Sequence, residues 1–179
     1  LVDDDEHAVF SAGLYAEAGE YQKAGQRYQQ VGEYLKAAEA YEAAYAFNSA
    51  IEAYRQAGRL DKVIVLIERT GEYYEAAHVP LELGDEERAI RNLQLVEIND
   101  SNYGDACRTM AEVFAGRGEF ELAVQKAEEA VEAFGDRAAP LEVLEQLGNL
   151  LEGVGRLEEA LEVFERIRKR DYQYPNVAE

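Results

Sequence analysis

The side chains that could do chemistry in this sequence are its carboxylates, its two histidines and its one cysteine. Asp and Glu number 37 against 18 Lys and Arg, so two carboxylates are neighbours in many places. A catalytic pair needs a pocket that shifts its pKa values. The acidic residues instead fall on the predicted solvent faces of helices, as at Glu33, Glu39 and Glu42. This pattern favours solvated charge over acid–base catalysis.

The histidines and the cysteine do not form a recognisable metal or nucleophile motif. His7 and His78 are far apart, and neither has a second ligand at metal-site spacing. Cys107 has no histidine near it in sequence, so we expect a buried thiol rather than a nucleophile. The glycines occur singly, not as a cluster before a strand, which argues against a phosphate-binding loop. We therefore predict a protein that is not an enzyme and uses no metal or cofactor.

The formal net charge of -19 over 179 residues narrows the choice of partner. Nucleic acid and anionic membrane surfaces both require a basic face, so neither is expected. No apolar stretch approaches the roughly 18 residues of a membrane-spanning helix, so membrane insertion is not expected either. Basic protein partners remain compatible with the charge. The first residues lack the basic and apolar regions of a signal peptide, and we predict a cytoplasmic location.

The elements that carry these residues repeat every thirteen residues between Gly19 and Val96. The repeating phrase is Gly-Glu-Tyr-x-x-Ala, and the turn positions are Gly19, Gly32, Tyr45, Gly58, Gly71 and Gly84. Within a repeat the apolar residues follow the period of one helical face, as at Tyr34, Ala37, Ala38, Tyr41 and Ala44. A fixed short period is typical of stacked units rather than of a single globular core.

Each repeat therefore predicts a helix of about ten residues, roughly 15 Å long, that is closed by a turn. Helices this short are marginal alone and must pack on neighbours, and short connections make those neighbours antiparallel. Tyr28, Tyr41 and Tyr54 are expected to fill the gaps between helices rather than to form an aromatic ligand ladder. The predicted fold class is all-α, a right-handed α-solenoid of antiparallel helix pairs.

Three places depart from the regular series. The first helix is expected at about Glu6 to Ala18, after an acidic lead-in. Pro80 occupies a position where earlier repeats carry Tyr, which predicts a kink or an early end of its helix. The alternative for Pro80 is a hinge or a partner notch near His78. The series then stops at a predicted loop, residues 97–102.

Four longer helices are predicted after this loop, in two hairpins. They are Tyr103 to Ala115 with Phe120 to Phe134, and Leu141 to Leu151 with Leu157 to Arg170. The second hairpin reads Leu144-x-x-Leu147-Gly148-x-x-Leu151, then Gly155-Arg-Leu157 and Ala160-x-x-x-Phe164. The first hairpin has similar spacing and reads Cys107-x-x-Met110-Ala111-x-x-Phe114, then Gly118-Glu-Phe120.

These hairpins resemble tetratricopeptide (TPR) repeats, whose skeleton is W-x2-L-G-x2-Y…A-x3-F, although the Trp is absent here. The resemblance implies short TPR-like helices over residues 1–98 and two TPR-like hairpins over residues 103–174. Residues 175–179 would begin a further, truncated repeat. A start without Met and an end in mid-pattern indicate a piece of a longer protein.

TPR arrays bind extended peptides or helices in a groove lined by the first helix of each hairpin. The resemblance implies seven groove-facing, partner-binding residues here: Asp105, Arg108, Glu112, Glu142, Glu145, Asn149 and Glu152. Some TPR domains clamp a terminal carboxylate with Lys, Asn and Arg, but Glu112 and Glu145 stand where that clamp needs Asn and Lys. An acidic groove prefers a basic or amphipathic segment.

The sequence thus predicts a protein–protein interaction scaffold or adaptor. Its partner would be a peptide, a helix or a small signalling protein bound on one face of the solenoid. The alternative is a structural spacer or a self-assembling repeat array within a larger multidomain protein. In that case the groove is filled by an adjacent part of the same protein or is merely solvated.

Overall fold

The fold is given by a computed structural model that describes residues 2–135 and 138–175, with side chains from residue 6 onward. Eleven α-helices and no β-strand occupy the described residues, so the predicted all-α class is confirmed. The helices are α1 (Val2–Glu17), α2 (Tyr21–Gln30), α3 (Tyr34–Ala43), α4 (Phe47–Gln56), α5 (Leu60–Thr70), α6 (Tyr73–Glu82), α7 (Glu86–Leu93), α8 (Tyr103–Gly116), α9 (Phe120–Phe134), α10 (Leu141–Gly153) and α11 (Leu157–Arg170). Of the predicted further repeat at residues 175–179, all but Pro175 lies outside the described residues.

The thirteen-residue repeat is one helix and one turn, as predicted. Helices α2 to α7 begin at residues 21, 34, 47, 60, 73 and 86, each thirteen residues after the last. The predicted turn glycines all have left-handed backbone geometry, and Tyr45 adopts it too, with φ at 57°. Tyr45 is the one non-glycine residue in the described chain with a positive φ.

Most of the helices end with the same pair of backbone hydrogen bonds. After α1, the N–H of Glu20 donates to the carbonyl of Tyr15 at 2.8 Å, and the N–H of Gly19 donates to Ala16 at 3.0 Å. This pair satisfies the last carbonyls of a helix and needs a residue in the left-handed conformation at the turn. The turn residue therefore fixes where each helix stops and where the next one starts.

The expected start of the first helix is wrong, and of the two alternatives expected at Pro80 the early end does not occur. Helix α1 begins at Val2 rather than near Glu6, because an acidic run is favourable inside the first turn of a helix as well as before it. Helix α6 passes through Pro80 and ends at Glu82, the position in the repeat at which α2 ends. The carbonyl of Pro80 accepts the N–H of Asp85 at 2.8 Å, so the closing turn forms as in other repeats. A kink, or a hinge near His78, stays a prediction.

The first compact unit is Leu1–Val79. Each of its helices from α1 to α5 packs on the next. Tyr41 and Tyr54 are buried in the core and Tyr28 is half-buried, which confirms that these tyrosines pack between helices. The Tyr41 hydroxyl donates to Gln29 Oε1 at 2.8 Å, and the Tyr54 hydroxyl donates to Glu42 Oε2 at 2.9 Å. The same contact therefore recurs at successive helix pairs.

The second compact unit is Pro80–Glu179, in which α8 packs on α9, α9 on α10, and α10 on α11. Helices α9 and α11 have their predicted bounds, and α8 and α10 extend one and two residues beyond theirs. The two compact units divide between Val79 and Pro80. The expected change of repeat type, between residues 98 and 103, stays a prediction about domain organisation.

Candidate functional site

A groove of about 530 Å³ lies between α8 and α10 in the second compact unit. Five of the seven residues expected at a partner-binding surface line it: Arg108, Glu112, Glu142, Glu145 and Asn149. Ala115, Gln146 and Leu150 complete the lining. The structure thus brings most of the expected residues together, and their role in binding stays a prediction.

Helical spacing places these side chains on one face of each helix. Arg108, Glu112 and Ala115 are spaced at i, i+4 and i+7 on α8, which is one stripe of a helix. The opposite stripe of α8, which includes Cys107 and Phe114, is buried in the core. On α10 the residues 142, 145, 146, 149 and 150 form the matching stripe, which is exposed or half-buried, and Leu144, Leu147 and Leu151 lie on the buried side. Core packing of each helix therefore leaves its polar stripe facing the groove.

Two of the expected residues do not line the groove. Asp105 lies one turn before Arg108 and contacts it, with 3.4 Å between Oδ1 and the arginine Nε. Glu152 is exposed in the last turn of α10, beyond the groove. Asp105 therefore contacts a residue of the groove lining without lining the groove itself.

The floor of the groove contains a residue that was not expected from the sequence. Gln146 joins the two helices, because its Nε2 donates to the backbone carbonyl of Arg108 at 3.3 Å. Its Oε1 is buried and receives no hydrogen bond from the described part of the chain. A buried carbonyl without a donor is destabilising, so this oxygen is an unmet acceptor at the groove floor. Its spacing from Glu142 and Asn149 places it on the same face of α10, whereas its bond to Arg108 depends on how α8 and α10 pack.

The charge of the groove is negative. Its lining has three carboxylates, of Glu112, Glu142 and Glu145, and one guanidinium, so the formal sum is -3 + 1 = -2. Arg108 is already paired on its own helix, with its Nη1 2.6 Å from Glu112 Oε1. No Lys or Arg among the described residues pairs with Glu142, which is exposed.

Tyr174 does not line the groove but hydrogen-bonds to one of its carboxylates. The Tyr174 hydroxyl donates to Glu145 Oε2 at 2.9 Å. Desolvation, then this hydrogen bond and the charges of Glu145, Glu142 and Asp171, raise the pKa of Tyr174 to about 12.

The one cysteine lies in the core rather than in the groove. Cys107 is fully buried, which confirms the expected core thiol, and burial raises the pKa of that thiol. Its Sγ lies 3.8 Å from Glu129 Oε2, and Lys126 holds that carboxylate at 2.6 Å. Within the described residues, no three His, Cys, Asp or Glu side chains lie where they could share a metal ion. None of the described helices has the length and apolar character needed to cross a bilayer.

The fold defined by these helices is of the all-α helical-repeat class, of TPR type. No family model matches the sequence, and no curated protein matches it. Similarity is found among solved structures, and the three described next are of low sequence identity.

The crystal structure of the MamA protein is 20% identical, with a TM-score of 0.54, over 97% of this chain and 94% of that one. The C-terminal part of a TPR repeat-containing protein from Cytophaga hutchinsonii is 17% identical, with a TM-score of 0.61, over 91% of this chain and 64% of that one. YrrB, described as a TPR protein with an unusual peptide-binding site, is 18% identical, with a TM-score of 0.50, over 96% of this chain and 88% of that one. The TPR resemblance is thus confirmed at the level of the fold.

Proposed function

We propose that this chain is a non-enzymatic protein–protein interaction scaffold that binds a basic segment of another protein in the groove between α8 and α10. The observation that carries the proposal is the excess of carboxylates over cations in that groove. Complementary charge selects partners and steers their approach more than it adds affinity. The sequence-based expectations of a basic or amphipathic partner and of a cytoplasmic location are part of this proposal.

The ion pairs of Arg108 support a cationic rather than an anionic ligand. Its guanidinium contacts Asp105 at 3.4 Å and Glu112 at 2.6 Å, so its charge is offset by two neighbours on α8. A carboxylate ligand would have to displace these partners and would approach Glu142 and Glu145 as well. A Lys or Arg ligand would meet the exposed Glu142 directly. The groove is therefore better suited to a cation.

The rest of the lining supports a segment with some apolar character. Ala115 and Leu150 supply apolar surface beside the carboxylates, and about 530 Å³ accommodates a few side chains. Gln146 Oε1 can accept a hydrogen bond from an N–H group of the bound segment if the Gln146 side chain turns toward that segment. The peptide-binding site named for YrrB supports a peptide ligand for this class of fold.

The proposal is tested with a fluorescent peptide of alternating Lys and Ala, titrated with the wild type and with Glu112→Lys/Glu142→Lys. We expect the double substitution to raise the dissociation constant about tenfold or more, since it reverses the sign of the groove. Fluorescence anisotropy at about 0.15 M salt measures the change, because the Debye length is then about 8 Å and distant charges are screened.

The matched control is Glu121→Lys/Glu132→Lys, which makes the same change in net charge at exposed positions of α9 outside the groove. An equal loss of affinity in both double variants would show that the peptide follows overall charge, and the groove proposal would be wrong. Unchanged affinity in the groove variant would also overturn it.

A further inference from the structure

The side-chain amide of Gln146 is poorly satisfied in the groove between α8 and α10. Its Nε2 donates to the carbonyl of Arg108 at 3.3 Å, which is long for a hydrogen bond between nitrogen and oxygen. Its Oε1 is the one buried side-chain nitrogen or oxygen of the described residues without a hydrogen-bond partner. A buried acceptor of this kind is destabilising in the free protein, and a ligand that donates a hydrogen bond to it would remove the cost.

The amide of Gln146 can turn toward a ligand with little loss. The torsion that rotates the terminal amide of a glutamine has a broad energy profile. The bond that this rotation strains is the long one to Arg108, whose carbonyl lies within α8, where it also accepts a backbone bond of the helix. The oxygen is therefore available to an occupant of the groove.

Glu142 supplies a second acceptor beside this amide. Glu142 and Gln146 are four residues apart on α10, so their Cβ atoms are about 5–6 Å from each other on one face of the helix. Glu142 is exposed, and no Lys or Arg among the described residues pairs with it. Ala115 and Leu150 add apolar surface to the same lining. A ligand group that satisfies both acceptors needs several donors that point in different directions.

The ion pairs of the chain itself show which cation joins two acceptors. Arg117, for example, has its Nη1 2.8 Å from Glu87 Oε1 and its Nε 2.7 Å from Glu119 Oε1. Three arginines of the described residues pair with two carboxylates in this way: Arg108, Arg117 and Arg156. The ion-paired lysines of the described residues have one carboxylate each: Lys23, Lys36, Lys126 and Lys169. A guanidinium spreads five donors over a plane, whereas an ammonium carries its donors on one nitrogen.

We propose that the groove selects arginine over lysine side chains in the bound segment, and that Gln146 is the residue that determines this preference. One edge of the ligand's guanidinium pairs with Glu142, another N–H donates to Gln146 Oε1, and the weakly hydrated face of the group lies against Leu150. An ammonium is more strongly hydrated, so it loses more on approaching a buried acceptor. This inference rests on the proposed function, because it names the side chain through which the basic segment is bound.

The first test compares three fluorescent peptides on the wild type by anisotropy. They are the peptide of alternating Lys and Ala, its counterpart with Arg in place of each Lys, and the Arg peptide with dimethylated guanidinium groups. Methylation keeps the charge of arginine but blocks its paired hydrogen bonds. We expect the Arg peptide to bind about fivefold more tightly than the Lys peptide, or better, and the methylated peptide to lose this advantage. Equal binding of the Arg and Lys peptides, or of the Arg and methylated peptides, would overturn the inference.

The second test is Gln146→Met, which keeps the length of the side chain and removes the carbonyl oxygen. The variant should bind the Arg and Lys peptides equally, and its thermal midpoint should be unchanged or higher, since an unmet buried acceptor is gone. If Gln146 only joined α8 to α10, the variant would melt lower and keep the preference for Arg, which would contradict the assignment. The matched control Gln26→Met lies at an exposed position of α2 outside the groove and should keep the preference.

The variant Glu112→Lys/Glu142→Lys separates this inference from the proposed function. If the groove binds basic segments without selecting their side chains, the wild type binds the Lys and Arg peptides equally and the variant weakens both, so only this inference fails. If the variant binds both peptides as the wild type does, the proposed function fails as well.

Discussion

Tyr45 stands where the other repeats of the thirteen-residue series carry a turn glycine. Its φ of 57° places a side chain in the left-handed region, which is unfavourable for residues other than glycine. The ring is mostly exposed and makes one edge contact with Phe47, with 6.0 Å between ring centroids. The backbone bonds of the turn still form, since the N–H of Ala46 donates to Tyr41 at 2.9 Å. The closing turn therefore imposes the conformation on Tyr45.

We expect Tyr45→Gly to raise the free energy of unfolding by about 0.5–1 kcal/mol. Removing Cβ relieves the left-handed strain, and the gain exceeds both the lost edge contact and the greater entropy of glycine in the unfolded chain. Urea unfolding followed by circular dichroism measures the change. The reciprocal control, Gly32→Ala, should lower the free energy of unfolding by a similar amount. If Tyr45→Gly instead lowers the free energy of unfolding, the contacts of the ring stabilise the fold by more than the left-handed backbone destabilises it.

The packing of α11 on α10 depends on Gly148. A Cβ atom added there would lie 2.7 Å from the ring of Phe164, closer than carbon atoms pack. Gly25 stands in the same relation to Tyr41, also at 2.7 Å and also sixteen residues apart. A glycine on one helix that leaves room for an aromatic ring of the next is thus a recurring contact between helices.

Gly148→Ala should lower the free energy of unfolding by roughly 1–3 kcal/mol, because the methyl group overpacks against the ring. Gly153→Ala is the matched control, since nothing lies within 4 Å of a Cβ there. It should be neutral or slightly stabilising, as alanine favours a helix. The thermal midpoint of both variants gives the comparison.

A double-mutant cycle identifies the ring as the cause. If Phe164 is the obstacle, Gly148→Ala should cost less in a Phe164→Leu background than in the wild type. Equal costs in the two backgrounds would place the strain elsewhere.

At the scale of helices, most of the fold could be predicted because turn glycines and the thirteen-residue period are local signals. The expected early end at Pro80 was wrong because proline in the last turn still offers its carbonyl to the closing bonds. The resemblance implied seven groove residues on α8 and α10, and five of them line the groove, while their role in binding stays a prediction. Gln146 was not among them, and its bond to Arg108 depends on how the two helices pack.

At the scale of the molecule, several of the tyrosines are hydrogen-bonded donors whose ionised form the fold disfavours. Burial, followed by the hydrogen bond to Glu42, raises the pKa of Tyr54 to about 12. Burial likewise raises the pKa of Tyr103 to about 12. An unfolded tyrosine titrates near pH 10. Between these values the unfolded state loses protons that the folded state keeps, so folding becomes less favourable as the pH rises.

We therefore expect the free energy of unfolding to hold below about pH 10 and to fall as the pH rises toward 12. Tyr54→Phe should cost about 1 kcal/mol at pH 7, through the lost bond to Glu42, and should flatten the alkaline fall. Urea unfolding at a series of pH values measures both effects. Tyr172→Phe, at an exposed position, is the control and should leave the profile unchanged. A Tyr54→Phe profile parallel to the wild type would contradict the assignment.

The closing turns of the first compact unit also bear on how such an array changes length. Each turn reverses the chain, so neighbouring helices run in opposite directions. Each helix of the series, with its turn, takes up thirteen residues. Loss of one repeat would leave all later helices pointing the wrong way, whereas loss of two restores their direction. Insertions and deletions that preserve the array should therefore occur in multiples of twenty-six residues, because only an even number of repeats keeps the direction of the helices that follow.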